Sequence, residues 1–421
     1  MRNIATPIEG KYIHREHEQH FDPTDKRTPF QHDRDRIIHS TALKSLQYKT
    51  QVYMIHEGDL YRTRLTHTLE VAQISRSLAI QLDANVDLAE AIALAHDLGH
   101  TPFGHAGETA MEELLSAHRL RFNHNVQGYK VATCLEERSP DFKGLNLTYA
   151  TLEGILRHNT IFDNQEDIRN SIPRNIWQDV KKFWETNQAG VEAQIASLAD
   201  IVAYASHDIE DALLVGLISW AAFKEEIHSA QVTFLEGLIA ELEQTMEDYS
   251  RRNRHIPDAT IQKLKSHQLS RKIINKLIIA IVEQTNDNIR KLKTRDTTPL
   301  WEAVREAKQP VVAFPPNLET EVHTLVGEIL LSRVYRHHRV VLMEEKARRI
   351  ISLLFETFMT EPQTLPESVQ YRLQQAGDRF VEQKTNKRKR AEIVADYIAS
   401  MTDKYAMDMY QLLVEAYEKV L

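Results

Sequence analysis

The chain is poor in the residues that build crosslinks and turns. Cysteine occurs once in 421 residues, at Cys134, which excludes an intrachain disulfide and any paired-cysteine zinc site. Glycine and proline number 13 each, and glycine is thereby at roughly half its usual frequency. Tight turns and glycine-rich phosphate loops draw on those residues, so a strand-rich or Gly-loop fold is disfavoured and a helical one is expected. No apolar run in the sequence approaches the roughly 18 residues of a membrane span. Met1-Arg2-Asn3 is not followed by a signal-peptide core, and a cytoplasmic protein without a membrane partner is expected. Positive charge is not in excess either. A formal net charge of −8 argues against a globally basic nucleic-acid binder, although a local basic cleft stays open.

What the chain has instead is helical periodicity. Segments 34–48, 65–82, 86–99, 106–117, 125–137, 148–157 and 191–217 read as helices, separated by turn signals such as Gly58-Asp59, Thr101-Pro102, Ser139-Pro140 and Ile172-Pro173. Residues 1–33 are polar, carry Pro7, Pro23 and Pro29, and read as an irregular arm. His14, His17 and His20 on that arm sit three apart, but nothing apolar would hold them rigid, so a solvated arm is the better reading than a metal site. The core is expected at 34–220. A C-terminal helical region is expected over 221–421, packed on the core and completing the substrate pocket, with two long helices broken near Asn253 to Pro257 and a connector from Gln309 to Asn317. The basic run Lys384, Lys387, Arg388, Lys389 and Arg390 reads first as a solvated helix face.

The chemistry concentrates around His96-Asp97, at the end of an apolar stretch and followed by Gly99, His100, His105 and Glu108. A buried imidazole beside a buried carboxylate is costly unless a cation binds them. Two distant side chains are candidates to join the pair. His67 opens a helix whose Leu69, Ala72, Leu78 and Ala79 would face inward. Asp200 lies on a helix where Asp200, Tyr204, Asp208 and Asp211 fall in one narrow arc at about 100° per residue. Any one of these, taken alone, is more often an ordinary core residue or ion-pair partner. Together, two histidines and two carboxylates make a site suited to Mn²⁺, Fe²⁺, Co²⁺, Ni²⁺ or Mg²⁺, with room for water and phosphate oxygens.

Several ordered motifs carry a resemblance: Asp33-Arg34-Asp35-Arg36-Ile37-Ile38-His39-Ser40, Lys49-Thr50-Gln51-Val52, Tyr61-Arg62-Thr63-Arg64-Leu65-Thr66-His67, and His96-Asp97-Leu98-Gly99-His100 through Glu108. Phe122-Asn123-His124-Asn125, Leu156-Arg157-His158-Asn159, Asp200 to Tyr204, His207 to Asp211 and Asp396 to Asp403 follow in order. The set resembles the HD superfamily of metal-dependent phosphohydrolases, and more narrowly the bacterial dGTPase-like deoxynucleoside triphosphate triphosphohydrolases. That resemblance implies an all-α fold, an HD-domain helical core with additional C-terminal helices. It implies metal ligation by His67, His96, Asp97 and Asp200, and a catalytic dyad of His105 and Glu108. His124 would contact or protonate the reacting phosphate, and Gln51, Tyr204 and Asp208 would hold the deoxyribose. A homo-oligomer, up to a hexamer, is also implied.

The expected reaction is water attack at the α-phosphorus of a dNTP, releasing deoxynucleoside and inorganic triphosphate. His105 can move a proton near pH 7, and Glu108, one turn along, would orient its ring. Lys49, Arg62 and Arg64 are candidate clamps for the β- and γ-phosphates. The rival readings are another HD-type nucleotide phosphohydrolase, or a non-catalytic module that senses a nucleotide effector or single-stranded DNA through the basic run.

Overall fold

The computed structural model describes residues 4–19, 21–51, 62–159, 165–253, 255–292, 298–377 and 386–414. Helices follow in order: α1 Pro29–His39, α2 Thr41–Ser45, α3 Arg64–Gln81, α4 Val86–Ala95, α5 Gly104–Ser116, α6 His124–Lys130, α7 Tyr149–Leu156, α8 Gln165–Ser171, α9 Arg174–Val180 and α10 Val191–Leu214. Beyond these come α11 Trp220–Ser229, α12 Thr233–Arg252, α13 Asp258–Lys291, α14 Leu300–Glu306, α15 Pro316–Thr324, α16 His338–Thr360, α17 Glu367–Gln375, α18 Lys387–Ser400 and α19 Asp403–Val414. No strand forms among the described residues, and an isolated antiparallel bridge joins Thr50 to Thr63. The fold is all-α, as the scarcity of turn residues predicts.

Local chemistry sets the helix ends. Thr63 and Thr66 form a reciprocal cap: the Thr66 N–H donates to Thr63 Oγ1 at 3.2 Å, and the Thr63 N–H donates to Thr66 Oγ1 at 3.0 Å. Two orphan donors are thereby satisfied, and α3 begins where Arg64 and His67 fall in its first turn. Ser40 closes α1 and caps α2, its Oγ accepting the Leu43 N–H at 3.0 Å. The expected 34–48 helix is therefore two. The region expected to hold two long helices before residue 290 holds three, because the chain also breaks between Ser229 and Thr233.

α10 is the central helix, buried along most of its length and packed against α3, α4 and α13. One apolar core runs from Ile4 to Val340 and so crosses residue 220 without interruption. A second core joins α5 to α16, α17 and α18 through Met111, Leu115, Ile351, Leu354, Val394 and Ile398. Each such side chain, fully buried, contributes about 1.5–3 kcal/mol relative to exposure.

The N-terminal arm corrects its sequence reading. Ile4 and Tyr12 are buried, and the Thr6 N–H donates to Glu192 Oε1 at 3.0 Å. Arg15 donates to Asp33 Oδ1 and to the Asn146 carbonyl, both at 2.5 Å, and the His17 ring stacks on Phe142. The arm is docked on the core by polar anchors, which leave no hydrophobic period to read. His20 lies outside the described residues.

Candidate active site

Three helices bring the predicted metal ligands together. His67 comes from the first turn of α3, His96 and Asp97 follow the end of α4, and Asp200 sits midway along α10. His67 Nε2 is 2.8 Å from Asp200 Oδ1, and His96 Nε2 is 3.3 Å from Asp97 Oδ1 and 3.8 Å from Asp200 Oδ1. Ligand atoms of His67, His96 and Asp97 all lie within 4.8 Å of one another. Residues more than a hundred positions apart thus converge on one small volume.

The donor set fits a cation on a specific observation. His96 Nδ1 lies 2.6 Å from the Ala93 carbonyl, so that nitrogen carries the proton, and the lone pair on Nε2 is turned toward the two aspartates. His96 Nε2 is buried without a hydrogen-bond partner, as expected of an atom built to hold a metal. Burial holds His96 below its ordinary pKa, which favours the neutral, ligating form. Burial also pushes Asp97 up, but the close His96 ring, the Arg64 guanidinium and the hydrogen bond from His100 outweigh it and keep the carboxyl well below its usual range.

A second group adjoins the first. The His124 ring Nδ1 is 3.1 and 3.2 Å from the two oxygens of Glu108, and the His124 backbone N–H donates to Glu108 Oε1 at 2.9 Å. His100 stacks on His124 at 4.0 Å between ring centres, and its Nε2 lies 3.0 Å from Asp97 Oδ1. His100 therefore links the two groups. Gly99 makes the stack feasible: a Cβ there would lie 2.0 Å from the His124 carbonyl oxygen and 2.2 Å from the Gly128 nitrogen, so only glycine lets α6 approach this closely. His105 is exposed at the cavity rim. Glu108 stands three positions after His105 on α5, and its described hydrogen bonds go to His124.

The predicted cations divide. Arg64 lines the cavity with its Nη1 3.1 Å from Asp97 Oδ2. Lys49 does not line it: the side chain is 1% exposed and Nζ donates to the carbonyls of His100 at 2.6 Å and Ala399 at 2.7 Å. Arg62 also points elsewhere, meeting Asp211 Oδ1 at 2.9 Å and Glu70 Oε2 at 2.8 Å. Neither placement supports a phosphate clamp. Both corrections have one cause, because the sequence gives proximity to the ligands but not direction.

The cavity that the metal cluster lines is about 340 Å³ and also reaches Gln51, Tyr204 and Asp208. Gln51 Oε1 is buried without a hydrogen-bond partner. Asp208 accepts a hydrogen bond from the Tyr335 hydroxyl, and burial raises its pKa to about 6. Leu331, Tyr335, Val340, Met343 and Ala347 close the apolar side. These residues belong to the C-terminal region expected to complete the pocket, but the sequence does not single them out, since helices near residue 340 carry no motif that points back to the HD region. His100 and His158 were also missed as site residues, although both stand inside the quoted motifs. Asp403 was missed too. It accepts the Thr50 N–H at 2.9 Å and the Phe103 N–H at 2.8 Å, and Phe103 has the left-handed φ of 65°, which a bulky residue adopts only when held. A larger cleft of about 1580 Å³, lined by Ser197, Gln194 and Gln284, contains none of the predicted site residues.

The basic run opens α18, and the described part, Lys387 to Arg390, is partly structural: Arg390 is buried and donates to the Met359 carbonyl at 2.9 Å. Asp396 pairs with Lys130 and, at 3.2 Å, with Arg372, outside the cavity. Lys384 lies outside the described residues. No helix among the described residues is long and apolar enough to cross a membrane.

Comparison with known proteins agrees with this architecture. The HD domain family matches residues 64–205, and the phosphohydrolase-associated domain family matches residues 312–412. A deoxyguanosinetriphosphate triphosphohydrolase-like protein of Thiobacillus denitrificans is 41% identical over 385 residues, covering 91% of this chain and 90% of its own length. Proteins of the same description from Nitrosomonas europaea and Syntrophus aciditrophicus are 40% and 38% identical, covering 92% and 95% of this chain and 91% and 90% of their own lengths. With near-complete coverage at that identity, and with the HD motif placed on converging helices, the chain belongs to the deoxyguanosinetriphosphate triphosphohydrolase-like family of HD-domain proteins.

Proposed function

We propose that this protein hydrolyses deoxynucleoside triphosphates, dGTP or several dNTPs, to deoxynucleoside and inorganic triphosphate, by water attack at the α-phosphorus. The observation that carries the reading is a shared cavity: the His67, His96, Asp97 and Asp200 cluster opens into the same volume of about 340 Å³ as His105 and as His124, which Glu108 holds from outside the lining. Its size falls at the small end for ligand sites, and it has a polar, metal-binding end and an apolar end.

A divalent cation such as Mn²⁺ or Mg²⁺ would supply charge neutralisation at the phosphate and a lowered pKa for the attacking water. The remaining work falls to side chains. Arg64 offers guanidinium donors to a phosphate oxygen beside Asp97. Glu108 fixes the tautomer of His124 through Nδ1, so proton exchange with the reacting group passes through Nε2. His105, at the rim, is the second proton carrier for the departing 5′ oxygen. Tyr204 takes the position where a ribose 2′-hydroxyl would need space, and Gln51 with Asp208 binds the 3′-hydroxyl, in line with the resemblance.

The test is product analysis after incubation of the purified protein with dGTP and Mn²⁺, repeated with the other dNTPs and GTP. Deoxyguanosine with intact triphosphate supports the reading. dGMP with pyrophosphate overturns the assignment of the leaving group, and no turnover of any nucleotide overturns the enzymatic reading.

A further inference from the structure

We propose that His158 is the positioning residue for Asp200, holding one carboxylate oxygen from behind so that the other faces His67 and His96. The inference rests on the metal-site reading above.

His158 follows α7, is 1% exposed, and does not line the reaction cavity. Its Nε2 lies 3.3 Å from Asp200 Oδ2, while Asp200 Oδ1 is the oxygen 2.8 Å from His67 Nε2 and 3.8 Å from His96 Nε2. The two carboxylate oxygens therefore have separate partners. The other ring nitrogen, Nδ1, is 3.4 Å from Ser197 Oγ. Ser197 and Asp200 stand one turn apart on α10, so the imidazole spans that turn and is engaged at both nitrogens.

The backbone that carries the ring is pinned on each side. Asn125 Nδ2 donates to the His158 carbonyl at 2.9 Å, and the Asn159 N–H donates to Ser197 Oγ at 3.1 Å. Arg157 is tied to the carbonyls of Phe183 at 2.7 Å and Asn187 at 2.9 Å. Such fixing is wasted on a ring that only fills space. The Ser197 hydroxyl also reaches the Ala193 carbonyl at 3.1 Å, so its single proton is shared between that oxygen and Nδ1; when it turns to Nδ1, the proton on Nε2 faces Asp200 and restrains the carboxylate's rotation. Outer partners of this kind commonly carry about 10–100-fold in metal affinity.

The experiment compares Mn²⁺ binding without nucleotide in the wild type, His158→Leu, His158→Gln and Ser197→Ala, by calorimetry and by the spin-resonance signal of bound Mn²⁺. Gln carries an amide donor near the position of Nε2, whereas Leu fills the space without one. The expected result is about 10–100-fold weaker binding for His158→Leu, affinity close to wild type for His158→Gln, and a loss in the same direction for Ser197→Ala. Unchanged affinity in His158→Leu overturns the proposal, as does His158→Gln binding as weakly as His158→Leu. If His158→Leu does not fold, Ser197→Ala decides, and wild-type affinity there overturns the proposal. A wild-type protein that binds no Mn²⁺ overturns the metal-site reading itself, a failure distinct from the others.

Discussion

Glu108 grips His124 twice, accepting the backbone N–H at 2.9 Å and lying 3.1 Å from the ring Nδ1 of the same residue. One carboxylate thereby satisfies the first N–H of α6, whose start Asn123 caps, and sets which nitrogen of the imidazole carries a proton. Burial raises the Glu108 pKa, but the charge and hydrogen bond of His124 overcome it and hold the carboxyl ionised. The pair is expected to act as one unit. His124→Ala and Glu108→Gln should each slow dGTP turnover by about 10²–10⁴, and the double variant should be no slower than the worse single, because coupled residues are not additive. Single-turnover rates for the four proteins check this, and additive losses would separate the two residues.

Removal of metal should act on stability as well as activity. Chelation is expected to abolish hydrolysis and Mn²⁺ to restore it. Excess Mn²⁺ should also raise the melting temperature of the wild type, since a ligand at 100 times its Kd adds about 2.7 kcal/mol. In His96→Ala and Asp200→Ala that rise should vanish, a comparison readable by scanning calorimetry.

Lys49 is expected to be structural. Its Nζ satisfies two buried carbonyls, of His100 and Ala399, and leaving them unpaired costs about 1–3 kcal/mol each. Lys49→Met should lower the melting temperature while leaving KM for dGTP unchanged. A phosphate clamp would produce the opposite split, a raised KM with unaltered melting.

The acids around Arg62 predict a pH dependence of stability. Burial, with Asp208, Glu210 and Glu70 nearby, raises the Asp211 pKa to about 7 despite Arg62, compared with about 3.9 in an unfolded chain. Between those values the unfolded chain gives up a proton that the folded protein keeps, so this contribution is complete below about pH 4 and is lost as pH rises through about 7. Asp211→Asn removes the loss. Its melting temperature relative to wild type should increase from pH 4 to pH 8, and a difference that shrinks over that interval would contradict the sign.

The sequence discloses local patterns better than directions. His96 and Asp97 were legible because adjacency, burial and Gly99 act within a few residues. The arc of Asp200, Tyr204, Asp208 and Asp211 is legible in part: α10 keeps its period and the first three line one cavity, whereas Asp211 lies outside its lining and meets Arg62. Arg62 and Arg64 show the limit. They are two residues apart, but Thr63 caps α3 between them, so only Arg64 follows the helical period into the site, while Arg62 turns to Asp211 and Glu70. Lys49 misleads because lysine is almost never fully buried. Helical spacing offers Glu108 its neighbour His105 on α5 but cannot reveal the contact with His124, which arrives on a different helix. The wall from Leu331 to Ala347 has only apolar character, which any core helix shares.

Asp403 gathers the amides of Thr50 and Phe103 across about three hundred positions of chain, and this makes the two halves of the molecule mutually dependent. A fragment ending at residue 311 would retain every proposed ligand of the cation and still be a broken vessel, with its loop unbraced and one side open to water. Any lineage that carried the first segment alone would have to invent a new buttress for Phe103 before chemistry could be sheltered there.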